Sequence, residues 1–319
     1  MNVPPATAII VTYRSMATIP ATLRALRECR DAGLLDCIVV DNDSNDGTAD
    51  WVEREEPWVT VIRSRENLGF GRGNNLGIAR TRSPFVLFLN PDAAIDAANL
   101  RTLLEFFAQH PRAGILGPAI CNNGVYDQPT LPFPTLGATL RESIPGLGGP
   151  FVGKIIDPAD SPYRVDWLCG AVLLARRELL ERLGGFDPRF FLYFEETDLC
   201  YRARQLGAEI WAVPNASGAH VAGTSARTTD KRLFRGCIAE HYFRSRFYFN
   251  VKHYGRFGAT VVEGVELLMT LVRLPIRALL GRDTTEAKVR LRSPFFRTPA
   301  RPNSPAAVVG TLAKTQTVL

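Results

Sequence analysis

Across the first third of the chain, short β-branched runs alternate with segments of helical spacing, and nothing else in the sequence narrows the fold so far. TAIIVTY, DCIVVDN, VTVIRS and PFVLFLN carry the Val, Ile, Thr and Phe of strands and are bounded by turn-forming residues. Between the first two, residues 20–32 turn Leu23 and Leu26 inward, and Gly33 supplies the stop. Thr48 is expected to cap a short helix through Trp51 and Val52. A loop, NLGFGRGNNLG, then leads into a short helix ending near Thr81. From Asp96, the positions Leu100, Leu103, Leu104 and Phe107 keep helical spacing until His110-Pro111 closes the pattern. Such repetition implies βαβ units and a mostly parallel central sheet flanked by helices, with PFVLFLN too apolar to have a wet face.

With 46% apolar residues in 319, the chain can bury a large domain plus an appendage. Residues 121–166 are rich in Pro and Gly without a sustained period and read as an excursion over the surface. Order returns with VDWLCGAVLLARR, a buried strand running into a helix. After Val221 the chain turns polar and basic, then aromatic in HYFRSRFYFNVKHYG, and ends in a flexible tail containing Pro and Arg. The boundary is placed near Ala226, giving a catalytic domain over residues 1–225 and a helical, basic and aromatic region over 226–319.

The formal charge of +6 suits a phosphate-bearing ligand, nucleic acid or an anionic membrane, and does not choose among them. Nucleic-acid binding has only this charge in its favour, because no recognition motif accompanies it. The six cysteines are scattered without a CxxC pair and read as reduced core thiols of a cytoplasmic protein. The N-terminus lacks a basic segment ahead of its short apolar run, which argues against a signal peptide. The apolar stretch from Gly258 to Leu280 is interrupted by Glu263, Glu266 and Arg273. It is therefore expected to lie along a membrane surface, on the inner face of the cell membrane, or to pack as a helix, rather than to span.

Ligands of open α/β sheets bind beyond the carboxyl ends of the strands. Those ends carry Thr12-Tyr13-Arg14-Ser15, Asp41-Asn42-Asp43-Ser44 and Asn90-Pro91-Asp92, although Asp and Asn also simply start turns. The glycines of GFGRGNNLG do not form GxGxxG and follow the third strand instead of the first, which speaks against a dinucleotide fold. Asp92, held by Pro91, has the chemistry to ligate a hard divalent cation that shares phosphate oxygens and water. His220 is a candidate second ligand, against the commoner structural role of a lone histidine. In RFFLYFEETDLCYR, Thr197 or Asp198 is expected to cap an amphipathic helix with Leu199, Ala203 and Leu206 inward. Glu195 and Glu196 remain beside Phe191, Tyr193 and Phe194, where desolvation raises a carboxyl pKa towards that of a general base working near neutrality.

Taken together, IIVTYRS, VVDNDSNDGT, NLGFGRGNNLG, FLNPDA, CGAVLLARR, GGFDPRFFLYFEETDLCYR and the downstream His220 resemble, in order over residues 6–225, the inverting family 2 glycosyltransferases of GT-A fold. Their bacterial rhamnosyltransferase-like branch matches best. The resemblance implies a nucleotide-diphospho-sugar donor, with Asp41, Thr12 and Tyr13 at the base and Asn67, Gly71 and Asn74 near the nucleoside and diphosphate. It places Asn90-Pro91-Asp92 where the family carries DxD, so that Asp92, with His220, would hold Mg²⁺ or Mn²⁺. Gly170 and Ala171 would let the backbone approach the sugar, and Glu196 would be the catalytic base, one methylene longer than the family's usual Asp. For this branch it implies dTDP-L-rhamnose as donor and a polyprenyl-linked saccharide as acceptor, in cell-wall or surface-polysaccharide synthesis.

Overall fold

The structure, a computed structural model, describes residues 4–126, 128–144, 153–220, 237–292, 296 and 298–299. The alternating pattern becomes β1 (Ala6–Thr12), α1 (Ile19–Asp31), β2 (Leu35–Asp41), α2 (Thr48–Glu55), β3 (Thr60–Arg63), α3 (Phe70–Ile78) and β4 (Phe85–Leu89). Beyond it come β5 (Ala93–Ala94), α4 (Ala97–Gln109), β6 (Ala113–Asn122), β7 (Val125–Tyr126), β8 (Pro129–Thr130), α5 (Leu136–Ser143), β9 (Lys154–Ile155) and β10 (Tyr163–Arg164). The remaining elements are β11 (Val172–Arg176), α6 (Arg177–Leu183), α7 (Glu195–Gln205), β12 (Glu209–His220), α8 (Cys237–Tyr254), α9 (Arg256–Leu279) and α10 (Thr285–Arg292).

The main sheet runs in the order β10, β12, β6, β11, β4, β1, β2, β3. β1 pairs in parallel with both β2 and β4, while β11 enters antiparallel between β4 and β6. Strand order reverses around β1, which leaves a crevice beyond the carboxyl ends of β1 and β4, the switch point where ligands of such sheets bind. Both faces are covered, so successive residues of one strand serve different cores. Ala8, Ile10, Leu87 and Leu89 join Leu23, Leu26, Leu100 and Leu103 on one side. Ile9, Val11, Val86 and Phe88 join Ile78, Leu180, Phe186 and Leu199 on the other. That is why these strands read as continuous apolar runs.

Gly33 ends α1 as expected, with φ +69° and its N–H donating to the Arg30 carbonyl at 2.8 Å. Asp96 caps α4 by accepting from the Asn99 N–H at 2.8 Å. Thr48 does not cap α2. Gly47 holds that position, and the Thr48 hydroxyl donates to Asp46 at 2.6 Å. β6 carries no strand signal in sequence because Gly114, Gly117 and Pro118 interrupt it, yet it lies inside the sheet, between β12 and β11. Its glycines make room for neighbours: a Cβ on Gly114 would come within 2.6 Å of Leu179 and one on Gly117 within 2.9 Å of Leu168. Among the described residues, the 121–166 excursion holds the last two residues of β6, then two-residue strands and α5.

The C-terminal helices pack on the rest of the chain. Phe190, Tyr248 and Phe249 form a small core joined by Phe194, Tyr201 and Tyr254, which seats α8 on α7. The boundary placed near Ala226 falls within residues 221–236, and the tail over 301–319; both lie outside the described residues. No described helix is long and apolar enough to cross a membrane. Cys29, Cys37, Cys121, Cys169 and Cys200 are free thiols, the first two and Cys200 buried. The Cys237 side chain is outside the described set.

Candidate active site

At the carboxyl ends of β1 and β2, Thr12 and Asp41 are paired in register, and the Thr12 hydroxyl donates to the Asp41 carboxylate at 3.1 Å. Asp41 also accepts the Ser44 N–H at 3.1 Å, which fixes the turn after β2. Tyr13 stands 46% exposed above this pair, with the Arg14 guanidinium 5.3 Å from its ring centroid. Arg14 and Asp43 both have positive φ, and the two loops are tied together where the Arg14 N–H donates to Ser44 Oγ at 2.9 Å. Strained backbone held by such cross-links is characteristic of ligand-facing loops.

NLGFGRGNNLG is not the open loop expected. It enters α3 at Phe70, and most of its polar and small residues face protein. A Cβ on Gly77 would stand 2.5 Å from Ile9 Cγ2 and one on Gly73 2.8 Å from Val11 Cγ1, so these glycines bring α3 against β1. Gly71 packs on Phe186, and Asn74 is fully buried with Nδ2 donating to the Phe70 carbonyl at 3.0 Å. Asn67 remains at the helix entrance, accepting the Gly69 N–H at 3.0 Å. Gly69 itself has φ +78° and ψ 178°, a region essentially closed to other residues, and its absent Cβ would lie 2.2 Å from the Phe191 carbonyl oxygen. Gly69→Ala is therefore expected to cost about 2 kcal/mol or more, read as a lowered denaturant midpoint; an unchanged midpoint would refute the close contact.

β4 ends in Asn90-Pro91-Asp92. The Asn90 N–H donates to the Ala171 carbonyl at 3.0 Å, and Thr22 Oγ1 donates to the Pro91 carbonyl at 2.9 Å. Asp92 is 1% exposed, and His220 Nε2 lies 3.0 Å from its Oδ1. The strands bring this about: His220, last residue of β12, is in register with Ala93. Residues 128 apart in sequence thus present one oxygen and one imidazole nitrogen together. Oxygen and nitrogen donors of this kind suit a divalent cation completed by phosphate oxygens and water. No third His, Cys, Asp or Glu joins them among the described residues.

The acidic helix departs from expectation at its start. Neither Thr197 nor Asp198 caps α7. The cap position is Phe194, and it and Tyr193 both hold left-handed backbone, with φ +67° and +69°. Two bulky residues in that conformation are strained, and α8 clamps them: Tyr242 packs on both rings and Phe249 on Phe194. Ser245 Oγ also donates to the Leu192 carbonyl at 2.9 Å. Leu199 and Ala203 face inward, but Leu206 is 44% exposed because it stands after the last turn.

The clamped turn projects both glutamates. Glu195 is buried against Gly71, and Glu196 is half-buried beside Gly170, whose N–H hydrogen-bonds the Glu196 carboxylate. Each has an enclosed Oε2 with no hydrogen-bond partner among the described residues. Burial raises both pKa values. Glu195, which also faces the charge of Glu196, stands well above the ordinary carboxyl range. Two neighbouring carboxyls cannot both ionise easily, so the pair resists carrying two charges at once. Burial pushes the adjacent Cys169 and Cys200 thiols up to about 12, which leaves them unreactive.

Sequence reading missed the network beneath. Asp198 Oδ2 receives Arg202 Nε at 2.7 Å, and its Oδ1 lies 2.6 Å from Lys252 Nζ and 2.8 Å from His253 Nε2. Asp187 binds Arg189, Tyr248 and Lys252. Asn42 bridges Leu68 and Gly69, and Asn75 makes paired 2.9 Å bonds to the Phe186 backbone. The available signal was the polar residues at helical spacing inside HYFRSRFYFNVKHY, whose mixed character pointed to a buried partner.

The doubly wound sheet, with its polar rim at the switch point, defines a nucleotide-diphospho-sugar transferase fold of GT-A type. Residues 7–168 match the family described as glycosyl transferase family 2, and the chain belongs to that family. Among curated relatives, N-acetylglucosaminyl-diphospho-decaprenol L-rhamnosyltransferase of Mycobacterium tuberculosis is 30% identical over 205 residues, which cover 57% of this chain and 65% of that protein. The low-salt glycan biosynthesis hexosyltransferase Agl10 of Haloferax volcanii is 31% identical over 204 residues, 62% of this chain and 61% of its own length. The chain thus spans just under two thirds of the length of these relatives. In fold it is similar to the mannosyltransferase PcManGT from Pyrobaculum calidifontis, solved with GDP-Man and Mn²⁺, at a TM-score of 0.57 and 19% identity, covering 92% of this chain and 86% of the other.

Proposed function

We propose that this chain is an inverting glycosyltransferase that moves a sugar from a nucleoside diphosphate to a lipid-linked saccharide, with Glu196 as the base. One observation carries the proposal: an enclosed carboxylate oxygen with no partner, on a carboxyl of raised pKa, beside the Gly170-Ala171 backbone that pairs with Asn90. In the reaction the acceptor hydroxyl oxygen forms a bond to the anomeric carbon as the carbon–oxygen bond to the diphosphate breaks. The hydroxyl proton passes to Glu196, and the nucleoside diphosphate leaves with the bonding electrons. Attack from the face opposite the leaving group inverts the configuration. Thr12, Tyr13, Asp41 and Asn67 bind the nucleoside end, with Gly71 and Asn74 supporting that loop from within α3. Asn90, Gly170 and Ala171 shape the sugar pocket.

Asp92 and His220 would hold Mg²⁺ or Mn²⁺, and their paired oxygen and nitrogen fit it. When bound, such a cation neutralises charge on a departing diphosphate. Asp92→Asn is expected to weaken Mn²⁺-dependent binding of a nucleoside diphosphate at least tenfold in calorimetry and to lower turnover with it. Unchanged binding and an unchanged metal response would remove Asp92 from this role.

The best reading of the donor is dTDP-L-rhamnose, in cell-wall or surface-polysaccharide synthesis with the protein peripheral on the membrane. The name of the mycobacterial relative supports donor class and acceptor class alike. A hexosyl or galactofuranosyl donor is the second reading, favoured by the Haloferax hexosyltransferase at equal identity within a percent. Transfer assays across a panel of nucleotide sugars decide between them, and no product from dTDP-L-rhamnose would sink the first. A nucleotide-sugar-binding protein without turnover would form no product from any donor.

A further inference from the structure

The clamped turn ahead of α7 leaves three oxygens open. Tyr193 Oη, Glu195 Oε2 and Glu196 Oε2 are each enclosed and have no hydrogen-bond partner among the described residues. All three come from residues 193–196. Proton transfer uses Glu196 and leaves the Tyr193 hydroxyl without a task.

A buried phenol ordinarily finds a partner, and one left open opposes folding. Here α8 holds it open. Tyr193 has φ +69°, and its ring stands edge-to-face on Tyr242 with 5.8 Å between centroids. Ser245 ties down the preceding residue through the Leu192 carbonyl. Backbone strain and an unsatisfied hydroxyl thus coincide at one residue, three before the base, and strain of this kind marks groups placed for a ligand. The hydroxyl also shares the surroundings of the base. Burial, and then the charges of Glu195 and Glu196, raise the Tyr193 pKa, so the phenol keeps its proton near neutrality and remains a donor. Glu196 turns Oε1 towards Gly170, where a Cβ would lie 3.4 Å away, and this leaves Oε2 as its open oxygen. Tyr193 and Glu196 are each only half-buried as whole residues, so the pair lies near the surface.

We propose that the Tyr193 hydroxyl recognises the acceptor, hydrogen-bonding the ring hydroxyl next to the one that gives its proton to Glu196. This rests on the transferase reading and narrows its substrate class to acceptors with two neighbouring ring hydroxyls. A carboxylate oxygen accepts and a phenol both donates and accepts, which complements such a pair. No protein partner has to be displaced from an open hydroxyl, so the new hydrogen bond contributes in full to discrimination against an acceptor that lacks the second hydroxyl.

The test is calorimetric binding to the full chain, with Mn²⁺ and dTDP present. The probes are N-acetylglucosaminyl diphosphate on a short alkyl chain, the saccharide diphosphate in the name of the mycobacterial relative, and its singly deoxygenated analogues. In the wild type, loss of one particular hydroxyl should weaken binding at least tenfold, and the linkage of the product should place that hydroxyl beside the reacting one. Tyr193→Phe should weaken binding of the parent compound by the same factor and show no further loss on that analogue. Its affinity for dTDP should be that of the wild type. Its thermal midpoint should be equal or higher, because an enclosed hydroxyl without a partner has been removed. A purely structural tyrosine predicts the reverse, a lower midpoint with an unaltered preference among the analogues, and that result overturns the proposal. A Tyr193→Phe protein that binds and glycosylates the parent as the wild type does also overturns it, as does wild-type protein that binds no member of the series or binds all of them alike. Binding needs no turnover, so a protein that shows the Tyr193-dependent pattern yet forms no product from any nucleotide sugar refutes the transferase reading alone.

Discussion

Glu196→Gln should leave a folded protein whose rate of sugar transfer is lower on the order of 10²-fold or more, with donor affinity nearly unchanged. The amide keeps the shape and the acceptor capacity for the Gly170 N–H but cannot take a proton. The pH profile carries a second signature. The base must be ionised to work, and burial has raised its pKa, so the wild-type rate should fall with acid along a limb lying above the ordinary carboxyl range. Stability has the opposite sign. A carboxyl whose folded pKa is raised adds stability only below its unfolded pKa and loses it as pH rises through the folded value. At neutral pH the buried charge therefore opposes folding, and Glu196→Gln should match or exceed the wild type in thermal midpoint while losing activity. A variant with normal turnover would remove Glu196 as the base and direct attention to Glu195, which is more deeply buried and whose pKa burial also raises.

Asp198→Ala should be the most destabilising single change at the site, by about 3–5 kcal/mol. Asp198 is fully buried and faces Arg202, Lys252 and His253. Its removal strands Arg202 and His253 without their carboxylate and leaves Lys252 with Asp187 alone, and α8 loses its polar anchor on α7. Hydrogen bonds from His253 and the charges of Arg202 and Lys252 outweigh burial and hold the carboxyl below its usual pKa. Asp187, beside Arg189 and Lys252, is lowered likewise. For depressed carboxyls the stabilisation is present above the unfolded pKa, about 4, and is lost as pH falls through the lower folded values. Acid unfolding of the wild type should therefore begin below about pH 4, and Asp198→Ala should show a shallower pH dependence there. Urea midpoints measured across that range check both statements, and a loss under about 1 kcal/mol would mean that the network contributes little to folding.

The two glutamates and Asp198 show why part of the site was legible and part was not. Carboxylates next to a run of Phe and Tyr signal desolvation from composition alone, and the structure bears out the raised pKa of Glu196. The same string gave no sign that Tyr193 and Phe194 would adopt left-handed backbone, because that conformation is imposed by rings on α8, roughly fifty residues away. Asp198 had the sequence position of a cap, yet its partners Lys252 and His253 lie in a region whose packing no local pattern reveals. Likewise Gly71 and Asn74 looked like ligand-facing loop residues. Glycine opens space for a backbone or for a ligand equally well, and here Phe186, Ile9 and Val11 fill the space around α3.

The sequence by itself determined the βαβ half of the sheet, the strand-end positions of Thr12, Asp41 and Asp92, and the family, because apolar periodicity and ordered short motifs are local and survive reading one residue at a time. Only the tertiary structure decided that β6, broken by Gly and Pro, lies inside the sheet between β12 and β11, that His220 meets Asp92 through the register of β12 against β5, and that α8 locks the turn ahead of Glu196. Those outcomes depend on which distant surfaces bury one another. That is settled by total packing and charge pairing, and no window of the sequence contains both partners.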